Sequence, residues 1–254
     1  VVLGLSFILF CGLVTSSRSL QWSDELQRTQ MEVANHPDSA RANYQAATEM
    51  MRRTFGGGSG NPMAYQLVQL QYKRASELDP SSKAPLIGLL YLDCSAGLPG
   101  NAAVQSLLLA RFAEARFTLG DRAAIQSLSA LLIEERLCLD DRQAIALIDA
   151  GLSNHSADGA IRGMIYAVAM DFAMAKMHSP LLALNYAQAA VASNPGSVAL
   201  RVNLIHLYIQ SNRVKEAREE YDAIATRPIA ARDQKAVVAL KSVLEAIKNH
   251  ENAR

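Results

Sequence analysis

The sequence predicts an all-α chain, a helix–turn–helix solenoid preceded by a truncated transmembrane or signal segment. Three observations predict it. The stretch Ala183 to Pro228 holds successive helical patterns closed by Pro195 and Pro228, one repeat apart for a period of ~34 residues. Similar ends, ELDP closing at Pro80 and NHP closing at Pro37, recur earlier in the chain. Alternating Val, Ile, Thr and Tyr of the kind that marks strands is almost absent, so helix is the default throughout. The chain divides into residues 1–17, a membrane-spanning or signal segment, and residues 18–254, a helical repeat domain.

Composition narrows the function classes. The formal net charge is +1, with Lys and Arg mixed among Asp and Glu, which argues against a nucleic-acid partner. Cys11, Cys94 and Cys138 form no C-x-x-C pair, so no zinc or redox motif is expected. A Cys94–Cys138 disulfide stays open for a chain outside the cytoplasm; two small buried hydrophobes are the favoured reading.

Val1 to Val14 reads VVLGLSFILFCGLV without a charge. It is shorter than a complete span of ~20 residues. Three readings stay open: the end of a transmembrane helix, the apolar core of a signal peptide, and a lipoprotein signal ending at Cys11. Either of the first two places the remainder at or beyond a membrane.

The helical elements follow in order. Trp22 to Asn35 is a half repeat that caps the array, and Ala40 to Phe55 is the first helix of the first full repeat. GGGSGNP (Gly56 to Pro62) breaks it as a flexible insertion; no strand precedes and no Gly-Lys-Ser/Thr follows, so it is not a phosphate loop. Met63 to Leu78 is the second helix. Lys83 to Ser95, Ala102 to Leu119, Arg122 to Leu137 and Asp140 to Leu152 continue the hairpins with the repeat landmarks out of register. Ala160 to Met177 and Leu181 to Ser193 form the next pair, and Val198 to Gln210 and Val214 to Thr226 the last. Ala230 to Asn249, rich in Lys and Glu, is a capping helix. Small residues Ala183, Ala187, Ala190 and Ala217 allow close helix approach, and Leu204, Tyr208 and Tyr221 fill the gaps.

The Ala183–Pro228 stretch resembles a tetratricopeptide repeat. The resemblance implies an array that works by protein–protein contact, with the first helix of each pair lining a groove. The junction RSLQWSDELQRTQMEVANHPDSARANY (Arg18 to Tyr44) resembles that of O-mannosyltransferase-like membrane proteins, whose last span leads into such an array. None of that family's catalytic loops is present, so no catalytic residue carries over.

No catalytic set emerges. His36, His155, His178, His206 and His250 are scattered without metal spacing, and no Gly-x-Ser-x-Gly elbow occurs, so neither metal nor cofactor is expected. Asp140-Asp141 reads as a helix start, and Asn154-His155-Ser156 is a glycosylation sequon. The register taken from Pro195 assigns Arg41, Tyr44, Thr48 and Met51 to the groove of the first repeat. It assigns Ile165, Val168 and Phe172 in a later repeat, and Ala199, Val202, His206 and Ile209 in the next. This apolar lining is either a dock for an apolar peptide or partner helix, or packing inside a tight superhelix. Asn203 alone does not make a clamp for a peptide carboxylate.

The expected protein is therefore a membrane-tethered scaffold of the cell envelope that binds a protein or peptide, extracytoplasmic and not an enzyme. The alternative is the C-terminal, non-catalytic part of a multispanning glycosyltransferase-like membrane enzyme. Deleting Gly56 to Gly60 is expected to leave helicity and the melting temperature within a few degrees of wild type, read by circular dichroism; unfolding on deletion contradicts the insertion reading.

Overall fold

The structure, a computed structural model, describes residues 6–7, 10–16, 24–55, 61–118, 120–226 and 229–252. Among these residues the regular elements are all helices. They are α1 (residues 10–16), α2 (Glu25–Asn35), α3 (Ala40–Phe55), α4 (Pro62–Leu78), α5 (Ala84–Ser95), α6 (Ala102–Glu114) and α7 (Asp121–Ile133). The remainder are α8 (Asp141–Ser153), α9 (Gly159–Ala175), α10 (Pro180–Ser193), α11 (Val198–Gln210), α12 (Val214–Ala225) and α13 (Ala231–Asn252). The chain forms two compact units, Val1–Leu107 and Leu108–Arg254, with the boundary inside α6.

Two kinds of turn alternate along the chain. Where a second helix hands over to the next first helix, a carbonyl at the helix end accepts from the N–H three residues on. His36 accepts from Ser39 at 3.0 Å, Asp79 from Ser82 at 3.2 Å and Asn194 from Ser197 at 3.0 Å. Each of these turns contains a proline, Pro37, Pro80 or Pro195, whose fixed φ and missing donor stop the helix. Where a first helix hands over to its partner, the chain passes through a left-handed residue: Gly97, Glu135, His178 and Asn212 have φ of 71°, 57°, 49° and 57°. After three of them the next N–H reaches five residues back, as in Leu98 to Asp93, Arg136 to Leu131 and Arg213 to Tyr208. That bond satisfies a carbonyl the helix end would leave unpaired.

The middle of the chain, where the repeat landmarks drift, keeps this alternation. Its second-helix end is at Asn154, with Ala157 donating to the Asn154 carbonyl at 3.1 Å. His155 stands where the other turns have proline. The Asn154 side chain does the stopping: its amide donates to the Phe112 and Ala115 carbonyls at 2.9 and 3.0 Å, and its oxygen accepts from the Ser156 N–H and hydroxyl. Asn154 is 2% exposed, so the sequon at this site is a structural turn. The same contacts end α6 at Glu114, earlier than the expected Leu119, since Phe117 N–H turns to the Ser156 hydroxyl. Asp140 caps α8 in a reciprocal box with Gln143, as a helix-start residue should.

In the first unit α3 packs on α2, α4 and α5. Ala42, Ala46 and Ala47 of α3 are buried, and Tyr72 of α4 lies against Gly88 of α5, where a Cβ would come within 2.6 Å of the ring. Glu49, buried on α3, is held by Arg52 and Arg53, and these charges push its carboxyl down to about 2. In the second unit α9 packs on α7, α8 and α10, and α11 on α10, α12 and α13. Ala183, Ala187, Ala190 and Ala217 are all buried as close-approach positions, with Leu204 and Tyr208 between them. Gln188 donates to the Tyr208 hydroxyl at 2.9 Å, and the Arg213 guanidinium sits 4.9 Å from the Tyr208 ring centroid.

Some expectations change. Cys94 is half-buried, Cys138 is exposed, and each is disulfide-bonded, so neither is the small buried hydrophobe expected; Cys11 is free and exposed. Residues 10–16 are helical and exposed, and among the described residues no helix is long and apolar enough to cross a membrane. Gly56 to Gly60, Trp22 and Pro228 lie outside the described residues. Met51, Ile165 and Phe172 are core side chains at 3%, 2% and 3% exposure. Phe172→Ala is therefore expected to cost roughly 3–5 kcal/mol. A urea titration followed by circular dichroism checks it, and an unchanged midpoint contradicts the core placement.

Candidate partner-binding groove

The second unit carries an open groove of about 750 Å³. Three first helices build it. α7 contributes Arg122, Ile125, Gln126 and Ser129, and α9 contributes Ala160, Met164, Ala167, Val168 and Asp171. The start of α11 contributes Val198, Ala199 and Leu200, and Ala230 and Asp233 close one end. On both α7 and α9 these residues recur at three and four positions, the spacing of one helix face. The turn Asn194 to Ser197 forms the rim, and the Ser197 hydroxyl caps α11.

Close contact at the base fixes the width. A Cβ on Gly163 would come within 2.9 Å of the Leu200 side chain and 3.2 Å of the Ala190 carbonyl oxygen; one on Gly159 would collide with the Ser193 carbonyl oxygen. These two glycines let α9 lie directly on the end of α10, which brings α11 alongside.

The lining is mixed rather than apolar. Asp171 is half-buried, and its Oδ2 accepts from the Ser129 hydroxyl at 2.6 Å, tying α9 to α7. Burial pushes its carboxyl up, and the Ser129 hydrogen bond partly opposes that. No ion pair reaches it among the described residues. Arg122 at the rim stands 3.9 Å from Asp158, the N-cap of α9. The first unit has a smaller hollow of about 420 Å³ between Phe55, Tyr65, Gln69 and Leu98. There Tyr65 donates to Asp93 at 2.6 Å, and burial with that carboxylate raises the phenol to about 12.

The structure sorts the expected groove residues. Ala199 and His206 are exposed and Val202 and Ile209 half-buried, on one face of α11. Val168 touches the groove, but Ile165 and Phe172 face the core, and Met164, Ala167 and Asp171 take their place. The turn after α9 closes with Ser179 N–H on Ala173, one residue longer than the Arg213–Tyr208 closure after α11. The structural counterpart of His206 is therefore Asp171, and a count of ~34 residues from α11 lands one residue late, about 100° around the helix. In the first unit Arg41 and Thr48 are exposed and Tyr44 is half-buried, while Met51 is core. Asp171 was missed, although it is the one carboxylate in α9, whose other charged residue is Arg162. Among the described residues no group of three His, Cys, Asp or Glu could hold a metal.

Residues 176–244 match the family model described as tetratricopeptide repeat. The match runs from the turn after α9 through most of α13 and agrees with the repeat reading of that region. No curated protein matches the chain. A solved structure described as "Functional Characterization of Pseudomonas Aeruginosa pilF" is similar at 15% identity and a TM-score of 0.45, covering 83% of this chain and 86% of that one. The Arg18–Tyr44 junction lies outside the family match, and its resemblance to O-mannosyltransferase-like proteins gains no support.

An acid whose pKa rises on folding binds its proton more tightly in the folded state, so stability falls as pH climbs through the ordinary carboxylate range to the raised value. Asp171→Asn removes that loss. The variant is expected to melt above wild type at pH 7, with the gap closing below pH ~4, in thermal melts at both pH values.

Proposed function

We propose that this chain is a helical-repeat scaffold that docks an extended peptide segment of a protein partner in the groove between α7, α9 and α11. The observation that carries it is the groove itself: an open cleft on rigid helices, with small side chains on its walls and polar groups placed among them. The tetratricopeptide match to residues 176–244 supports the same mode of action. The scaffold acts by binding, without catalysis of its own.

The scaffold is tethered at a membrane through residues 1–17 and works on the extracytoplasmic side. The uncharged run Val1 to Val14 supports the tether, as do the exposed Phe7, Phe10 and Leu13 within it. The disulfide-bonded Cys94 and Cys138 support an oxidising compartment.

A photo-crosslinking amino acid placed at Met164 of the full chain, with Lys215 on an exposed face of α12 as the control site, tests the docking reading in native host membranes. Met164 is expected to give discrete adducts to one or a few proteins that Lys215 does not give. Equal labelling from both sites, or none from Met164, overturns the groove as the docking site.

A further inference from the structure

We infer that Asp171 is the anchor of the groove and receives the side chain of a lysine or arginine on the docked peptide. This rests on the docking reading above and names the chemistry of the occupant.

Asp171 sits on the groove wall, half-buried between α9 and α7. Ser129 occupies Oδ2 alone, and neither a further hydrogen bond nor a cation reaches the carboxylate among the described residues. The free oxygen is not enclosed, since it is absent from the buried atoms lacking a partner. A partly desolvated carboxylate without a cation is unfavourable in the empty groove, and a cationic donor from a ligand offsets that cost. The remaining charge in the cleft agrees. Asp233 adds a second carboxylate to the lining, and Arg122, its one cation among the described residues, stands close to Asp158. The walls beside Asp171 are Ala167 and Met164, which leave room for a peptide backbone and for the methylene stem of a lysine or arginine. The hydrogen bond from Ser129 fixes the carboxylate before the ligand arrives, so little order is lost on binding.

A positional-scanning library of acetylated, amidated hexapeptides, screened against the full chain, tests this. The best sequence is then remade with norleucine at its basic position, and both peptides are titrated against wild type and Asp171→Asn. The Asn side chain keeps the shape and the acceptor for Ser129. The library is expected to select Lys or Arg at one position. Norleucine and Asp171→Asn should each weaken binding on the order of tenfold or more, and together little further, since they delete the same contact. Should Asp171→Asn lose helicity, the norleucine titration on wild type decides. Peptides that bind with no basic preference, or equally to Asp171→Asn, overturn the anchor and leave the groove standing. No peptide binding at all overturns both.

Discussion

The groove depends on the close approach of α9 to the end of α10. Gly159 and Gly163 present bare backbone to Ser193 and Ala190, and Leu200 fills the space above Gly163. With no Cβ in the way, the helices meet at a distance side chains would forbid. α11 starts four residues after Asn194, the C-cap of α10, so this contact also sets where its first turn lies against α9. The wall spacing, the position of Ala199 opposite α9 and the depth of the cleft all follow from that one approach.

The turns carry the repeat more faithfully than the side chains do. Between second and first helices the backbone forms one hydrogen-bonded turn at His36, Asp79, Asn194 and Asn154. Proline stops the helix in three of them, and a buried asparagine with four hydrogen bonds does so in the other. Between first and second helices a left-handed residue does the work, and Glu135, His178 and Asn212 accept a conformation that glycine adopts more readily. That strain is tolerated where the turn bond and the packed helices on either side hold it.

Helix starts and stops were legible because their chemistry is local. Proline, Asp and Ser at helix ends act on neighbouring backbone groups, so Pro37, Pro80, Pro195 and Asp140 announce themselves. The end at Asn154 was not legible as a repeat end, since its partners Phe112 and Ala115 lie at the end of α6, far away along the chain. Of the α11 residues expected in the groove, Ala199 lines it, whereas Val202, His206 and Ile209 lie beyond its lining, and the face of α9 was read one residue late. A single extra residue in the turn after α9 is invisible to a count of ~34 residues, yet it rotates the face by about 100°.

The sequence by itself determined that the chain is helical, where most helices stop, and which alanines lie between them, because periodicity and local capping suffice for these. Only the tertiary structure decided which face of each helix meets the groove. It exchanged Phe172 for Asp171 and turned an expected apolar cleft into a mixed one with a carboxylate in its wall. Helix phase is set by packing against neighbours through contacts such as Gly163 on Leu200, and no local pattern encodes those contacts.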